Sequence, residues 1–249
     1  MILEEFRVKG DVAIISGYDP IWLKALSIAL AQAGANIVIA GPGKKEIESV
    51  AEEVRHLGNK ALSIPLGLTS NQELEAIAEQ VIAQFGRIDI LVNSQNLQFG
   101  KPFLEVTEEE WKRVLEADLL SFFRHSKAVG KHMVKQKTGK IINIVSGAGE
   151  RGLPNGVAYC ACMGGVIQLT RALALEWARE NVRINAVGMG WMEMDFEVGK
   201  KDPVLNYIPM RRRGKIEDIA PLVLFLASEA SSYMTGHVYF VDGGVMARG

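Results

Sequence analysis

The stretch Val12-Ala-Ile-Ile-Ser-Gly17-Tyr-Asp-Pro-Ile-Trp-Leu-Lys-Ala-Leu-Ser-Ile-Ala-Leu-Ala-Gln-Ala-Gly34-Ala-Asn36-Ile-Val-Ile-Ala40 decides the fold. Val12–Ile15 is a short, wholly apolar run, which reads as a strand buried on both faces. Ile21–Ala33 carries apolar residues at helical spacing, and Gly34 stops it. Asn36–Ala40 is a second apolar run. Strand, helix, strand is a βαβ unit, and such a unit puts its two strands parallel in one sheet.

The same alternation continues outward. Strands are predicted at Ala61–Ile64, Ile88–Val92, Lys140–Val145, Arg183–Val187 and His237–Val241. Helices are predicted at Lys44–Leu57, Asn71–Phe85, from about Glu108 to Lys137, from near Val157 to Glu180, and at Glu217–Ala227. Right-handed crossovers then give an α/β chain with one doubly wound, Rossmann-type domain spanning residues 1–249. No Pro/Ser-rich linker or internal repeat divides it.

Composition bounds the rest. With 249 residues, 48% of them hydrophobic, the chain can bury a core without metal or disulfide staples. It has 28 Lys plus Arg against 29 Asp plus Glu, so charge gives no support for a nucleic-acid or membrane-surface partner. Two cysteines cannot form a disulfide framework, and the N-terminus lacks the order of a signal peptide. No apolar run is expected to span a bilayer. These features lead to an expected cytoplasmic location.

Specific motifs lie in the second half. Gly139-Lys-Ile-Ile-Asn-Ile-Val-Ser146 is followed by Tyr159. Then come Gly165-Val-Ile-Gln-Leu-Thr-Arg-Ala-Leu-Ala-Leu-Glu176, Arg183-Ile-Asn-Ala-Val187 and Thr235-Gly-His-Val-Tyr-Phe-Val-Asp-Gly-Gly244. Together they resemble the short-chain dehydrogenase/reductase family, from about Gly10 to Gly244. The resemblance implies a seven-stranded parallel sheet, and a dimer or tetramer built on the two long helices and the last helix and strand. It also implies catalytic roles for Ser146 and Tyr159.

Against that family, the nucleotide positions are altered. Of the glycines that let a pyrophosphate approach a helix N-terminus, Gly17 is kept, while Ile21 and Leu23 replace the others and Trp22 lies between. Asp19-Pro20 reads as a helix cap followed by proline at the first helical position. It places a carboxylate where the family would hold a phosphate. Ala40-Gly41-Pro42-Gly43-Lys44 offers no acid for a ribose. Gly67 stands where the family's acid would lie beside the adenine, and Asn93 is what remains of its Asn-Asn-Ala-Gly.

The catalytic set is half kept. Met163 stands at the family's lysine position and Asp118 at its asparagine. Without the lysine, Tyr159 is expected to titrate near the free value of about 10. Met163, Met189 and Met194 are expected to join Ile21, Trp22 and Leu23 in packing the cofactor space with apolar side chains.

These substitutions lead to the expectation of a non-catalytic family member that binds no cofactor itself. It would be an inactive subunit partnered by a homologous active subunit in a heterodimer or heterotetramer, with NAD in that partner. The resemblance extends to a degenerate-subunit pattern, that of a heteromeric dehydrogenase of acyl-CoA hydroxy substrates in anaerobic toluene breakdown. Val245–Gly249 would then shape the partner's pocket. The alternatives are a lyase or isomerase using Ser146, Tyr159 and Asp118, a regulatory binding protein, or an NAD(P)-dependent oxidoreductase whose altered turn tolerates cofactor. Cys160 and Cys162 point apart on a helix and read as structural thiols rather than metal ligands. Arg211-Arg-Arg213 reads as a solvated edge or partner contact, with steering of an acidic or CoA-bearing substrate as the other possibility.

Overall fold

A computed structural model describes residues 2–67, 70–193 and 202–247. Seven parallel strands are arranged in the order β3-β2-β1-β4-β5-β6-β7. They are β1 (Val12–Gly17), β2 (Asn36–Gly41), β3 (Ala61–Pro65), β4 (Ile90–Ser94), β5 (Gly139–Ser146), β6 (Val182–Met189) and β7 (Val238–Val241). The helices are α1 (Pro20–Gln32), α2 (Lys44–His56), α3 (Asn71–Phe85), α4 (Glu108–Val114), α5 (Ser121–Gln136), α6 (Val157–Trp177) and α7 (Ile216–Ala227). Each expected strand is present, displaced by no more than a residue or two at its ends.

The strands are buried on both faces because alternate side chains enter different cores. Ala13 and Ile15 of β1, with Ile37 and Ile39 of β2, pack against Leu23, Leu26 and Leu30 of α1 and Val223 of α7. Val12, Ile14 and Val38 point the other way, against Leu74 of α3 and Val129 and Met133 of α5. The period of two along a strand sends neighbours to opposite layers, so a continuous apolar run is required.

Local chemistry sets the helix ends. Asp19 has extended dihedrals and its Oδ1 accepts from the Ile21 amide at 2.8 Å, with Pro20 next. Ser70 and Glu73 cap α3 reciprocally. Gly34, at φ +100, turns the chain from α1 into β2. A Cβ there would lie 3.0 Å from Lys9 Cα as well as in a strained conformation.

Two expectations change. The long helix from Glu108 is broken by a π-helical stretch, Leu115–Leu120, between α4 and α5. Helical periodicity does not register such a bulge, although bulges of this kind recur at functional sites. Furthermore, α6 with its 3-10 extension, Val157–Glu180, is long and apolar enough to cross a membrane by length and composition. Its buried face, including Cys162, Met163, Val166 and Ile167, instead packs with Val145 of β5 and Ala186 of β6. Its apolarity is that of a helix laid across a sheet.

Candidate active site

The site forms where β1 and β4 diverge from the middle of the sheet, outside their C-terminal ends. The strand order reverses between these two strands, and open α/β sheets bind ligands at such a point. Gly17 ends β1 opposite Ser94 of β4. A Cβ on Gly17 would lie 2.3 Å from Ser94 Oγ, and that hydroxyl donates to Ser16 O at 3.0 Å. Glycine is needed here for strand contact.

The side chains expected to block this crevice lie elsewhere. Ile21 is 51% exposed and turned to solvent. Leu23 is fully buried between α1 and β2. Its Cδ1 would be 2.4 Å from a Cβ on Gly41, so the missing side chain of Gly41 makes room for it. Trp22 is mostly buried and forms part of a cavity wall. Met163 lies in the core under α6 with Phe122 and Val166, and Met194 lies outside the described residues. The expectation of an apolar plug is therefore corrected: a cavity of about 980 Å³ remains open. Ser94, Asn96, Ser146, Tyr159, Met189 and Met192 are among its lining residues. The plug fails because Leu23 and Met163 have complementary space in the core, where their apolar area is removed from water.

Ser146 closes β5, and its Oγ accepts from the Ala148 amide at 3.2 Å. Tyr159 is buried in the first turn of α6. Burial pushes the phenol well above its ordinary value of 10; the charge of Asp118 adds to this, while hydrogen bonding with the Ser146 and Asn96 side chains opposes it. The expected near-free titration of Tyr159 is thus corrected by desolvation, which the sequence does not reveal.

Asp118 sits in the π-helical stretch, completely buried. Its Oδ1 accepts from the Leu97 amide at 2.6 Å, and its Oδ2 has no partner. Burial raises its carboxyl to about 7, with the Leu97 hydrogen bond opposing. Asn93 is below the cavity rather than on it: Nδ2 donates to Asn143 Oδ1 at 2.9 Å, and Asn143 donates in turn to Thr170 of α6 at 2.9 Å. Gly67 follows β3 at the sheet edge, away from the cavity-lining residues. The structure therefore brings Ser146 and Tyr159 together with Asp118 nearby, and leaves Gly67, Asn93 and Met163 apart.

Several site residues carried no sequence signal. Asn96 lines the cavity, and its buried Oδ1 is unpartnered. Arg151, Trp191 and Tyr207 come to the cavity from separate loops. Val245 and Met246, expected from the sequence to shape a partner's pocket, line this chain's own cavity. Beneath the Gly17 turn, His125 is buried with Nε2 2.7 Å from Ser16 Oγ and Nδ1 2.8 Å from Ser121 O. Burial lowers its pKa to about 4, so it is a neutral strut at pH 7. Cys162 is buried and its thiol is pushed up to about 12, again by desolvation.

A family model described as enoyl-(acyl carrier protein) reductase matches residues 24–246. The chain belongs to the short-chain dehydrogenase/reductase family. It is 34% identical over 244 residues to a 3-oxoacyl-[acyl-carrier-protein] reductase of Thermotoga maritima, covering 96% of this chain and 99% of that protein. It is 36% identical to the 2-dehydro-3-deoxy-D-gluconate 5-dehydrogenase of Escherichia coli K12, with 100% of both chains covered. A gluconate 5-dehydrogenase from Burkholderia cenocepacia, solved in complex with NADP and tartrate, superposes with a TM-score of 0.93 at 30% identity over 100% of both chains.

These oxidoreductase relatives span 96–100% of the chain, and the last holds a nicotinamide nucleotide on the same fold. They overturn the expectation of a non-catalytic, inactive subunit that binds no cofactor and leaves NAD to its partner. The open cavity removes the steric ground of that expectation. The residues fit such a nucleotide at its nicotinamide end. There the cavity is open beside Ser146 and Tyr159, and Asn96 leaves a buried acceptor unsatisfied. At the phosphate end, the start of α1 carries its own cap, Asp19.

Proposed function

We propose that this chain is an NAD(P)-dependent oxidoreductase that interconverts a carbonyl and a hydroxyl on a small polar or acyl-bearing substrate. The observation that carries this reading is the shared position of Ser146 and Tyr159 on one open cavity at the switch point of the sheet. Trp22, Ser94, Asn96 and the Met189–Met192 wall would hold the nucleotide, which supplies hydride when bound.

The chain's own residues handle the oxygen and its proton. Ser146 and Tyr159 both line the cavity and their side chains are hydrogen-bonded to each other, so they can hold one substrate oxygen between them. Burial keeps Tyr159 protonated at neutral pH. A protonated phenol is a stronger acid than an alcohol, and burial narrows that difference without reversing it. Tyr159 can therefore protonate the oxygen as reduction proceeds. Donation leaves a tyrosinate that regains its proton from solvent before the next turnover, oxidation starts from the same tyrosinate, and Met163 provides no cation to stabilise it in either direction.

Assembly with a homologous subunit belongs to the same reading. Phe123 of α5 and Leu175 of α6 are exposed apolar residues on the helices that the family resemblance assigns to subunit contact. The free thiols Cys160 and Cys162 suit a reducing compartment such as the cytoplasm.

The test is oxidation of NADH or NADPH by the purified chain in the presence of a 3-oxoacyl thioester, a keto sugar acid or a neutral ketone. Turnover with at least one substrate, lost in Tyr159→Phe, is expected. No turnover and no saturable nucleotide binding would refute the assignment. Native mass measured alone and with a co-produced homologue checks the assembly.

A further inference from the structure

Among the described residues, Asp19, Arg151 and Arg213 are the charged side chains that line the cavity. Two of them are committed. Asp19 caps α1. Arg213 is ion-paired with the buried carboxylate of Asp202 at 2.6 Å and donates to Met192 O at 3.3 Å. Arg212, next to it, is held by Asp218 at 2.6 Å. The basic run of residues 211–213 therefore supplies little uncompensated charge to the cavity.

Arg151 differs. It is exposed on the loop that follows β5, and it has no carboxylate partner among the described residues. The adjacent acid, Glu150, is engaged by Arg171 at 3.0 Å. Arg151 Nη1 donates to Val245 O at 2.6 Å. The backbone around it is fixed from both sides. Its own amide donates to Gly147 O at 3.0 Å. The tail carrying Val245 is folded by Asp242, which accepts from the Gly244 amide at 2.8 Å and the Met246 amide at 2.6 Å. A guanidinium so held keeps its remaining donors for a ligand, in a planar fork that matches an oxyanion. Phe99, Leu153, Trp191 and Tyr207 line the same cavity, are apolar or aromatic, and offer an anion no other cation.

We infer that Arg151 is an anion-recognition residue of the cavity, which selects substrates carrying an oxyanion at a distance from the reacting carbonyl. The oxyanion is a carboxylate of an oxo acid or a phosphate on the arm of a thioester. Where it concerns substrate choice, the inference rests on the proposed reduction; the anion site itself does not.

The test uses the full chain, with Arg151→Gln removing the charge and Arg151→Lys keeping it. Tartrate and inorganic phosphate are titrated calorimetrically as probes, and thermal melting checks the fold of each variant. Wild type should bind at least one probe saturably. Arg151→Gln should bind it roughly ten- to a hundredfold more weakly, the scale expected for one charge-assisted contact, with Arg151→Lys between them. Tighter tartrate binding supports an oxo acid as the substrate, and tighter phosphate binding supports a thioester arm. In turnover, the KM of an anionic substrate should rise by a similar factor while that of a neutral ketone stays unchanged. Equal probe binding by wild type and Arg151→Gln, or no binding by either, overturns the inference. So does a lowered melting temperature with unchanged KM, which would reduce Arg151 to a strap for the tail. Arg151-dependent probe binding without any turnover would refute the proposed activity and keep the anion site.

Discussion

Asp118→Asn should stabilise the protein at alkaline pH, by an amount that grows as pH rises. The Asp118 carboxyl is completely buried, with one oxygen on the Leu97 amide and the other unpartnered. Burial raises it from its ordinary 3.8 to about 7. The folded state therefore holds a proton that the unfolded chain releases. Stabilisation from that proton is complete below pH 3.8 and is lost as pH rises through about 7. At about 1.4 kcal/mol per tenfold in proton affinity, ionised Asp118 costs the fold about 4 kcal/mol above that window. Asparagine keeps an acceptor for Leu97 and cannot ionise, although its amide hydrogens need a partner. A gain of about 2–4 kcal/mol over wild type is expected near pH 8, shrinking to little near pH 4. The nearby Tyr18, Tyr159 and Cys162 have raised pKa values, so they remain neutral across this window. Urea unfolding of both proteins across that range, followed by circular dichroism, gives the difference at each pH. A difference independent of pH, or a variant less stable than wild type near pH 8, would refute the reasoning.

Tyr159→Phe should lower kcat by on the order of 10²–10⁴-fold by removing the proton donor, with circular dichroism unchanged. Wild-type kcat for any competent substrate, compared with that of the variant, checks this. Gly41→Ala should destabilise the chain by about 1–3 kcal/mol in denaturant, because its Cβ would meet Leu23 Cδ1 at 2.4 Å and Gly17 O at 2.8 Å. Asp19→Asn keeps a good helix cap while removing a negative charge from the start of α1. It should leave unfolding nearly unchanged and tighten NADPH binding by up to about fivefold, as expected for a charge interaction of about 1 kcal/mol at a helix end. An unchanged or weakened Kd in fluorescence titration would count against a phosphate position there.

The strand and helix positions were legible because both periods are local. Ile14 and Ile15 belong to opposite cores, and that requires only that consecutive residues be apolar. Asp19-Pro20 and Gly34 likewise marked helix ends through their own backbone chemistry. The π-helical stretch was not legible, since an inserted residue in a helix leaves the surrounding apolar spacing nearly intact. Nor was the raised carboxyl of Asp118, which arises from the layers stacked around it.

The sequence by itself determined a doubly wound sheet, its family, and the placing of Ser146 and Tyr159 at strand end and helix start. Only the tertiary structure decided whether the altered turn filled the site or left it open. Leu23 is accommodated by the absence of a Cβ on Gly41, a residue of another element, and Met163 by a core built from α5, α6 and β5. Such complementarity is a property of surfaces brought together from distant parts of the chain. A substitution read at its own position shows which atoms were added. Where those atoms go depends on the space opposite, and that space exists only in the folded protein.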